Sequence, residues 1–193
     1  MPGILGKKLG MTRVIQDDGR VIPMTIVECV PNVVTQIKTV EKDGYPALVL
    51  GFCPLKKPTK TRKFYHVKEF TPEQGKEYKD GDEIKVELFN EGENIAVTSV
   101  SKGKGTQGVV RRFHMAGGPK THGSHFRREP GSIGARAKPG KIHRGKHLPG
   151  RMGTETVTKK TRVVMVDAKH NLIGIKGPVA GGNHSLVIIK KLS

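Results

Sequence analysis

The sequence has few of the features that mark membrane, secreted or catalytic proteins. Among its 193 residues it has no tryptophan, two cysteines and only 5% aromatic residues. No run approaches the roughly 20 apolar residues of a membrane-spanning helix, and the opening MPGILGKKLGMTR lacks the apolar centre of a signal peptide. We therefore expect a cytoplasmic protein with no membrane partner. In a reducing cytosol, Cys29 and Cys53 are expected to be free thiols rather than a disulfide.

Acidic residues are also scarce, and their scarcity is local. The formal net charge is +18, of which residues 1–100 contribute +1 and residues 152–193 contribute +5. Residues 101–151 contribute +12, with 13 Lys/Arg and a single acid, Glu129. So many positive charges repel one another in the folded chain, and such an excess usually indicates a polyanionic partner. Aromatic side chains are few, so the protein is not expected to bind single strands by stacking bases on aromatic rings. Contact of arginine guanidinium groups and backbone amides with structured RNA fits the composition better.

The same segment, 101–151, lacks hydrophobic periodicity. It contains 11 glycines and five of the eight histidines, and its apolar residues follow neither the helical nor the strand period. A segment of this kind buries too little apolar surface by itself to offset the entropy lost when it becomes ordered. We therefore expect it to be mobile until an anion neutralises its charge. Loops this long are normally functional or disordered. Two extended limbs of about 25 residues would span up to roughly 80 Å at about 3.3 Å per residue.

The flanking sequence is rich in short β-branched runs. MTRVIQ and VIPMTIVECV flank DDGR, which predicts a hairpin, and VVTQIKTVEKDGYPALVLGF predicts a second with Asp43-Gly44 at its turn. DEIKVELF, ENIAVTSV, TRVVMVDAKHNLIGIKG and HSLVIIKKL predict about five more strands, and residues 55–80 a polar connection with one or two helical turns. This pattern predicts a barrel or sandwich, built from residues 1–100 and 152–193 together around the inserted segment 101–151.

Two glycine patterns resemble nucleotide-binding motifs but lack their context. Residues 103–108 match G-x-G-x-x-G, yet VVRRFHM leads directly into AGGP, leaving no room for the crossover helix of a Rossmann unit. Residues 145–150 have Walker A spacing, but Arg151-Met152 stands where Lys-Ser/Thr is required. We expect no cofactor and no small-molecule substrate. Glycines beside Lys102 and Lys104 suit an RNA backbone better.

The histidines of the basic segment do not form a convincing metal or catalytic pattern. His114, His122 and His125 lack a cysteine pair, and only Glu129 is near them. We expect no metal, and imidazoles that either contact RNA or remain solvated. No carboxylate pair, cysteine–histidine neighbour or nucleophile elbow is present, so no catalytic residue is assigned and an enzyme is not expected.

Several stretches together resemble the bacterial members of the universal large-subunit ribosomal protein L-three family. GILGKKLGMTRVIQDDGRVIPMTIVE is similar to the N-terminal hairpin of that family, and SKGKGTQGVVRR to the entry into its central extension. THGSHFRREPGSIGARAKPGKIHRGKHLPGRMG resembles the extension and its return limb, and NLIGIKGPVAGGNHSLVIIK the C-terminal strands. The resemblance covers nearly the whole chain.

The resemblance implies a mainly β fold: a six-stranded β-barrel of the type shared by translation factors, with a smaller insertion and a long basic extension. It implies direct binding to 23S-type ribosomal RNA, early action in large-subunit assembly, and no catalysis. The large-subunit proteins L-fourteen and L-nineteen would be neighbours. The extension would reach toward the peptidyl transferase centre with a tip formed by Gly131, Ser132, Ile133, Gly134, Ala135, Arg136, Ala137 and Lys138.

Three features depart from the family pattern. Some bacterial members carry a methylated glutamine in the tip, but Ala137 stands at that position, so this modification is expected to be absent. Phe113 stands where many members have tryptophan, and the connection at 55–80 is short for the family.

The predicted RNA contacts are basic and histidine side chains, almost all of them in the basic segment. They are Lys7, Lys8, Lys102, Lys104, Arg111, Arg112, Lys120, His122, His125, Arg127, Arg128, Arg136, Lys138, Lys141, Arg144, Lys146 and Arg151. Two alternatives stay open. A DNA-architectural protein would prefer duplex DNA, although no recognition helix is visible. An RNA-modifying enzyme with a basic gripping loop would need a cofactor pocket.

Overall fold

The regular structure is mainly β, as predicted. The computed structural model describes residues 2–16, 18–73, 75–76 and 78–192. The strands are β1 (Gly3–Ile15), β2 (Val21–Glu28), β3 (Asn32–Lys38), β4 (Ala47–Pro54), β5 (Phe64–Phe70), β6 (Glu83–Ile84), β7 (Asn94–Val100), β8 (Thr106–Gln107), β9 (Gly150–Arg151), β10 (Thr156–Asp167), β11 (Leu172–Lys176) and β12 (Leu186–Lys191). The helices are α1 (Val40–Asp43), α2 (Val109–Phe113) and a 3-10 turn, Val86–Leu88. Within the described ranges, no helix has the length and apolar character needed to span a bilayer.

Six strands form one antiparallel sheet whose hydrogen-bonded order, β1-β12-β7-β10-β11-β2, returns to β1. Each of these strands therefore has a partner on both sides. Strand β7 shows why they fold this way: fully buried residues alternate with less buried ones along it, and Ile95 and Val97 belong to the core. The predicted first hairpin is confirmed by the pairing of β1 with β2, although Asp17 of its turn lies outside the described residues.

A second sheet has four strands in the order β5-β4-β3-β6. The predicted second hairpin is confirmed, because β3 pairs with β4 around helix α1 and Gly44, whose φ of 80° ends that helix. The prediction of helical turns in 55–80 is wrong for the residues described there. That region contains strand β5 instead, which pairs with β4 and whose last residue, Phe70, packs into the core. Residues 74 and 77 of the connection lie outside the described set.

The predicted strand DEIKVELF is largely wrong. Only Glu83–Ile84 is a strand, and it is followed by the 3-10 turn Val86–Leu88. Val86 and Phe89 are both buried in the same cluster. Residues three apart lie on one side of a helical turn but on opposite faces of a strand. Burial of both side chains therefore favours the turn.

Two apolar clusters stabilise these sheets, and strand β1 contributes to both. Ile4 lies in the cluster of the six-stranded sheet, and Leu5 lies in the cluster of the four-stranded sheet. Buried Asn32 connects the two regions. Its side chain accepts a hydrogen bond from the Leu5 N–H at 3.0 Å and donates to the Leu5 carbonyl at 3.0 Å and the Val30 carbonyl at 2.9 Å. The amide thus serves as a strand partner for Leu5.

Both cysteines are free thiols, as predicted. Cys29 is fully buried, and this burial raises its pKa far above the ordinary range of a thiol. Cys53 is partly exposed, and desolvation raises its pKa as well. Because the thiolate is the reactive form, neither side chain is prepared for nucleophilic chemistry.

The chain divides into two compact units. The first comprises the residues up to Ser101 and from Thr156 onward, and it contains the six-stranded and the four-stranded sheets. The second is Lys102–Glu155, called the basic unit below. The return boundary therefore lies four residues beyond the predicted 151. Lys104 N–H donates to the Met152 carbonyl at 2.9 Å, and Met152 N–H donates to the Gly105 carbonyl at 3.0 Å.

Candidate nucleic-acid interface

The two limbs of the basic unit are paired at their ends. Strands β8 and β9 are antiparallel, with Thr106 opposite Arg151 and Gln107 opposite Gly150. The side-chain amide of Gln107 also donates to the carbonyl of Lys104. Neither strand was predicted, because two-residue strands carry no detectable hydrophobic period.

A side-chain cluster next to this pairing joins the two limbs a second time. Arg112, in helix α2, donates from Nη1 to the Leu148 carbonyl at 2.8 Å. Its guanidinium carbon lies 4.9 Å from the centroid of the Phe113 ring. Phe113 stacks on His147 with a centroid distance of 4.1 Å and an angle of 7° between the ring planes. Phe113 thus packs against the opposite limb.

This cluster changes the interpretation of two residues. Arg112 was predicted only as an RNA contact, but it is half-buried and holds the opposite limb. His147 was not selected from the sequence at all. Phe113 and His147 lie far apart along the chain, and no motif connects them, so sequence reasoning had no signal for their stacking.

Glycine allows a close backbone approach within the first limb of the basic unit, before the predicted tip. Gly118 N–H donates to the Arg127 carbonyl at 3.1 Å. A Cβ atom at Gly118 would overlap the carbonyl oxygen of Phe126, which is backbone and has little room to move. Only glycine is compatible with this contact.

Beyond these contacts the basic unit is irregular and open to solvent. Residues 119–149 contain no helix or strand, and every residue from 125 to 147 is exposed. Even large apolar side chains are uncovered there: Phe126 is 60% exposed, Ile133 46% and Ile142 42%. The predicted tip, 131–138, lies wholly within this part. The missing hydrophobic period agrees with the missing regular structure in 119–149, whereas α2, β8 and β9 in the same segment were not predicted.

Positive charge is concentrated on this exposed surface. Arg112 is half-buried, while the other twelve of the 13 Lys/Arg in residues 102–151 are exposed. These twelve are Lys102, Lys104, Arg111, Lys120, Arg127, Arg128, Arg136, Lys138, Lys141, Arg144, Lys146 and Arg151. A single acid, Glu129, accompanies them in this range. Solvent-facing cations with so little local neutralisation suit contact with phosphates.

Three histidines of the basic unit lie close to these cations in sequence. His114, His122 and His125 are all exposed. Across the described ranges, His, Cys, Asp and Glu side chains do not gather in groups of three that would suit a metal ion. Exposed imidazoles beside cations are able to donate hydrogen bonds to phosphate or base edges.

The predicted contact Lys8 requires a correction. Its side chain is buried, with 8% exposed, and its Nζ donates to the Val179 carbonyl at 2.7 Å and to the Gly181 carbonyl at 3.2 Å. A buried ammonium is stable only with such hydrogen bonds. The side chain therefore serves the interior of the first unit and is not available to a phosphate. Its neighbour Lys7 is half-buried on the same strand.

Together, fold and surface define a class: a mainly β protein with an irregular, cation-rich and nearly acid-free insertion. The family model described as ribosomal protein L3 matches residues 69–168. The chain is 45% identical over 199 residues to large ribosomal subunit protein uL3 of Dehalococcoides mccartyi, covering 98% of this chain and 97% of the relative. Proteins of the same name from Geobacillus thermodenitrificans and Oceanobacillus iheyensis are also 45% identical, over 203 and 201 residues, covering 97% of this chain and 95% of each relative. The chain belongs to the ribosomal protein L3 family, which confirms the resemblance found in its sequence.

Proposed function

We propose that this protein is a structural component of the large ribosomal subunit and that its basic unit binds 23S-type ribosomal RNA directly. The family consists of structural ribosomal proteins rather than enzymes, and the relatives are named as large-subunit proteins. The protein accordingly works in the cytoplasm as part of the ribosome. One observation carries the RNA contact: twelve exposed cations share a segment with a single acid, Glu129.

The chemistry of the contact follows from charge and shape. Each cation that meets a phosphate releases condensed counterions, which favours binding and makes it depend on salt. Arginine forms paired hydrogen bonds with phosphate, so Arg127, Arg128, Arg136, Arg144 and Arg151 should contribute more than the lysines. The irregular backbone of 119–149 allows four of these arginines, all except Arg151 on β9, to follow a path between packed RNA helices.

The finer assignments belong to the same proposal. The closed order of six strands supports a barrel of the translation-protein type, and the four-stranded sheet supports the smaller insertion. We place the exposed tip, residues 131–138, toward the peptidyl transferase centre. We also propose early action in subunit assembly, with L-fourteen and L-nineteen as neighbouring proteins.

Competition binding tests the RNA assignment. The purified protein is titrated onto large-subunit ribosomal RNA, with unrelated structured RNA and duplex DNA as competitors, at increasing salt. If about eight of the exposed cations meet phosphates, the logarithm of affinity should fall against the logarithm of salt with a slope of about −6 to −7. The advantage of ribosomal RNA should survive salt that removes the competitors. Equal competition by all three would instead support an architectural protein that responds to charge alone.

Changing the five arginines to lysines tests the mode of contact. Total charge is unchanged, so a weaker affinity would report the lost paired hydrogen bonds, and an unchanged affinity would contradict the arginine argument.

Deletion of 123–150 tests the role of the segment. The first unit should keep its circular dichroism spectrum while large-subunit maturation fails. Normal maturation with the deleted protein would show that the segment is dispensable.

A further inference from the structure

A second acid-free stretch lies in the first unit, within residues 1–100, whose total charge of +1 conceals it. Residues 44–68 contain six Lys/Arg and no Asp or Glu. All six cations are exposed. We call them the hairpin patch, which consists of Lys56, Lys57, Lys60, Arg62, Lys63 and Lys68.

The loop that carries the patch has a defined shape. It joins β4 to β5, and Leu55 N–H donates to the Lys63 carbonyl at 2.9 Å, which extends the ladder of the two strands. At its end, Thr59 N–H donates to the Arg62 carbonyl at 3.0 Å, and Arg62 N–H donates to the Thr59 hydroxyl oxygen at 3.1 Å. Lysines on both sides of this turn are thereby held close together rather than along an extended coil.

The patch continues onto an uncovered strand. β5 is the edge of its sheet, and residues 65–69 are all exposed, including Tyr65 at 52% and Val67 at 48%. Exposed edge strands with apolar residues are usually covered or blocked. A partner that covers this strand would bury the apolar surface of Tyr65 and Val67 as well as neutralise the nearby positive charge.

A groove of about 630 Å³ lies beside the loop within the same unit. Val49 and Val67 are among its apolar lining residues, while Lys60, Arg62 and Lys63 supply cations, and Asp80 supplies an acid. The arrangement therefore offers cations next to an apolar surface, which suits a nucleotide with its phosphate outside and its base inside.

We propose that the hairpin patch and its groove are a second RNA-binding site, distinct from the basic unit. This inference rests on the proposed function, because that function supplies an RNA partner. Six cations without an intervening acid match a polyanion whose charges repeat along its backbone. The exposed rings of Tyr65 and His66 next to the cations add groups that contact bases and sugars in RNA.

A charge variant with a matched control tests the proposal. The patch variant changes Lys56, Lys57, Lys60 and Lys63 to Gln, which leaves the Thr59–Arg62 turn bonds intact. The control changes four exposed lysines that each have an acid within two residues in sequence: Lys42, Lys79, Lys85 and Lys169. Both full-length variants lose the same charge, and thermal melts followed by circular dichroism verify that both fold. If the patch variant does not fold, the pair Lys57→Gln and Lys60→Gln replaces it, with half the expected effect.

The readouts are the salt dependence of affinity for large-subunit ribosomal RNA and the chemical footprint of the protein on that RNA. We expect the patch variant to lower the magnitude of the salt slope by about 3, since each phosphate contact contributes about 0.7–0.9. We also expect loss of one protected RNA segment, with protection by the basic unit retained. The control should change neither readout.

Two different failures are distinguishable. If patch and control variants give the same slope and the same footprint as the unaltered protein, the second site is refuted, while the basic unit remains the RNA contact. If the unaltered protein shows no preference for ribosomal RNA, the proposed function itself fails, and with it the partner on which this inference depends.

Discussion

Replacement of Asn32 by alanine should destabilise the first unit without touching any exposed basic residue. The amide pairs with both backbone groups of Leu5, whose side chain is fully buried, and with the carbonyl of Val30. Alanine would leave the N–H and C=O of Leu5 buried without a partner. Each such group costs about 1–3 kcal/mol, so the free energy of unfolding should fall by roughly 2–6 kcal/mol. That is a large share of the typical 5–15 kcal/mol for a folded protein.

Urea denaturation followed by far-UV circular dichroism measures this loss. The control is Thr35→Val, which removes one partly buried hydrogen bond to the Val49 carbonyl and should cost about 0.5–1.5 kcal/mol. Asn32→Asp keeps one acceptor but places carboxylate oxygens beside the two carbonyls, so it should be at least as damaging as alanine. If Asn32→Ala costs no more than Thr35→Val, the amide is not the partner of Leu5 that the geometry indicates.

Three further predictions concern single side chains. Lys8→Met removes a buried ammonium from the Val179 and Gly181 carbonyls and should lower the free energy of unfolding by about 2–4 kcal/mol. RNA affinity, measured below the melting temperature, should be unchanged. A loss of affinity without a loss of stability would show that Lys8 contacts RNA after all. Gly118→Ala introduces a Cβ atom against the carbonyl oxygen of Phe126. The N–H of residue 118 should therefore lose its protection from hydrogen exchange, while the amides of the first unit keep theirs. Retained protection at residue 118 would contradict the close approach. His170 lowers the pKa of Asp167 through a side-chain hydrogen bond, so the stabilisation by this pair is present above the unfolded pKa of Asp167 and is lost as pH falls through its lower folded pKa. Asp167→Asn should therefore flatten the acid side of the stability profile, and an unchanged profile would rule out the contribution.

The sequence patterns predicted those elements whose cause is local. β-branched runs around Asp18-Gly19 and Asp43-Gly44 predicted the two hairpins, because strand period and turn chemistry are encoded within a few residues. The lack of a hydrophobic period in the basic segment agrees with the absence of helix and strand in 119–149, but it gave no signal for α2, β8 or β9. The 3-10 turn at Val86–Leu88 was missed because a short β-branched run is ambiguous until the burial of its side chains is known.

Contacts between distant residues explain the remaining differences. Lys8 is separated from its carbonyl partner Val179 by 171 positions. The sequence near Lys8 therefore gives no sign that its ammonium group is used inside the first unit rather than for RNA. The stacking of Phe113 on His147 likewise depends on how the two limbs of the basic unit return to each other. Composition predicted that this unit would carry positive charge, but it did not predict which arginine would be used to hold its limbs together.

The pairing of β8 with β9 has a consequence for the length of the basic unit. Together with the Arg112–Leu148 hydrogen bond, it closes the chain into a loop whose ends stay together through contacts of their own. The entropy of closing a flexible loop grows only with the logarithm of its length, by about 0.6 kcal/mol for each doubling. Insertions or deletions among the exposed residues 128–146, which lie beyond the contacts of Arg127 and His147, would thus change stability very little. The length of this segment can therefore vary independently of the fold that carries it, and in the proposed function it would be set by the depth of the RNA site.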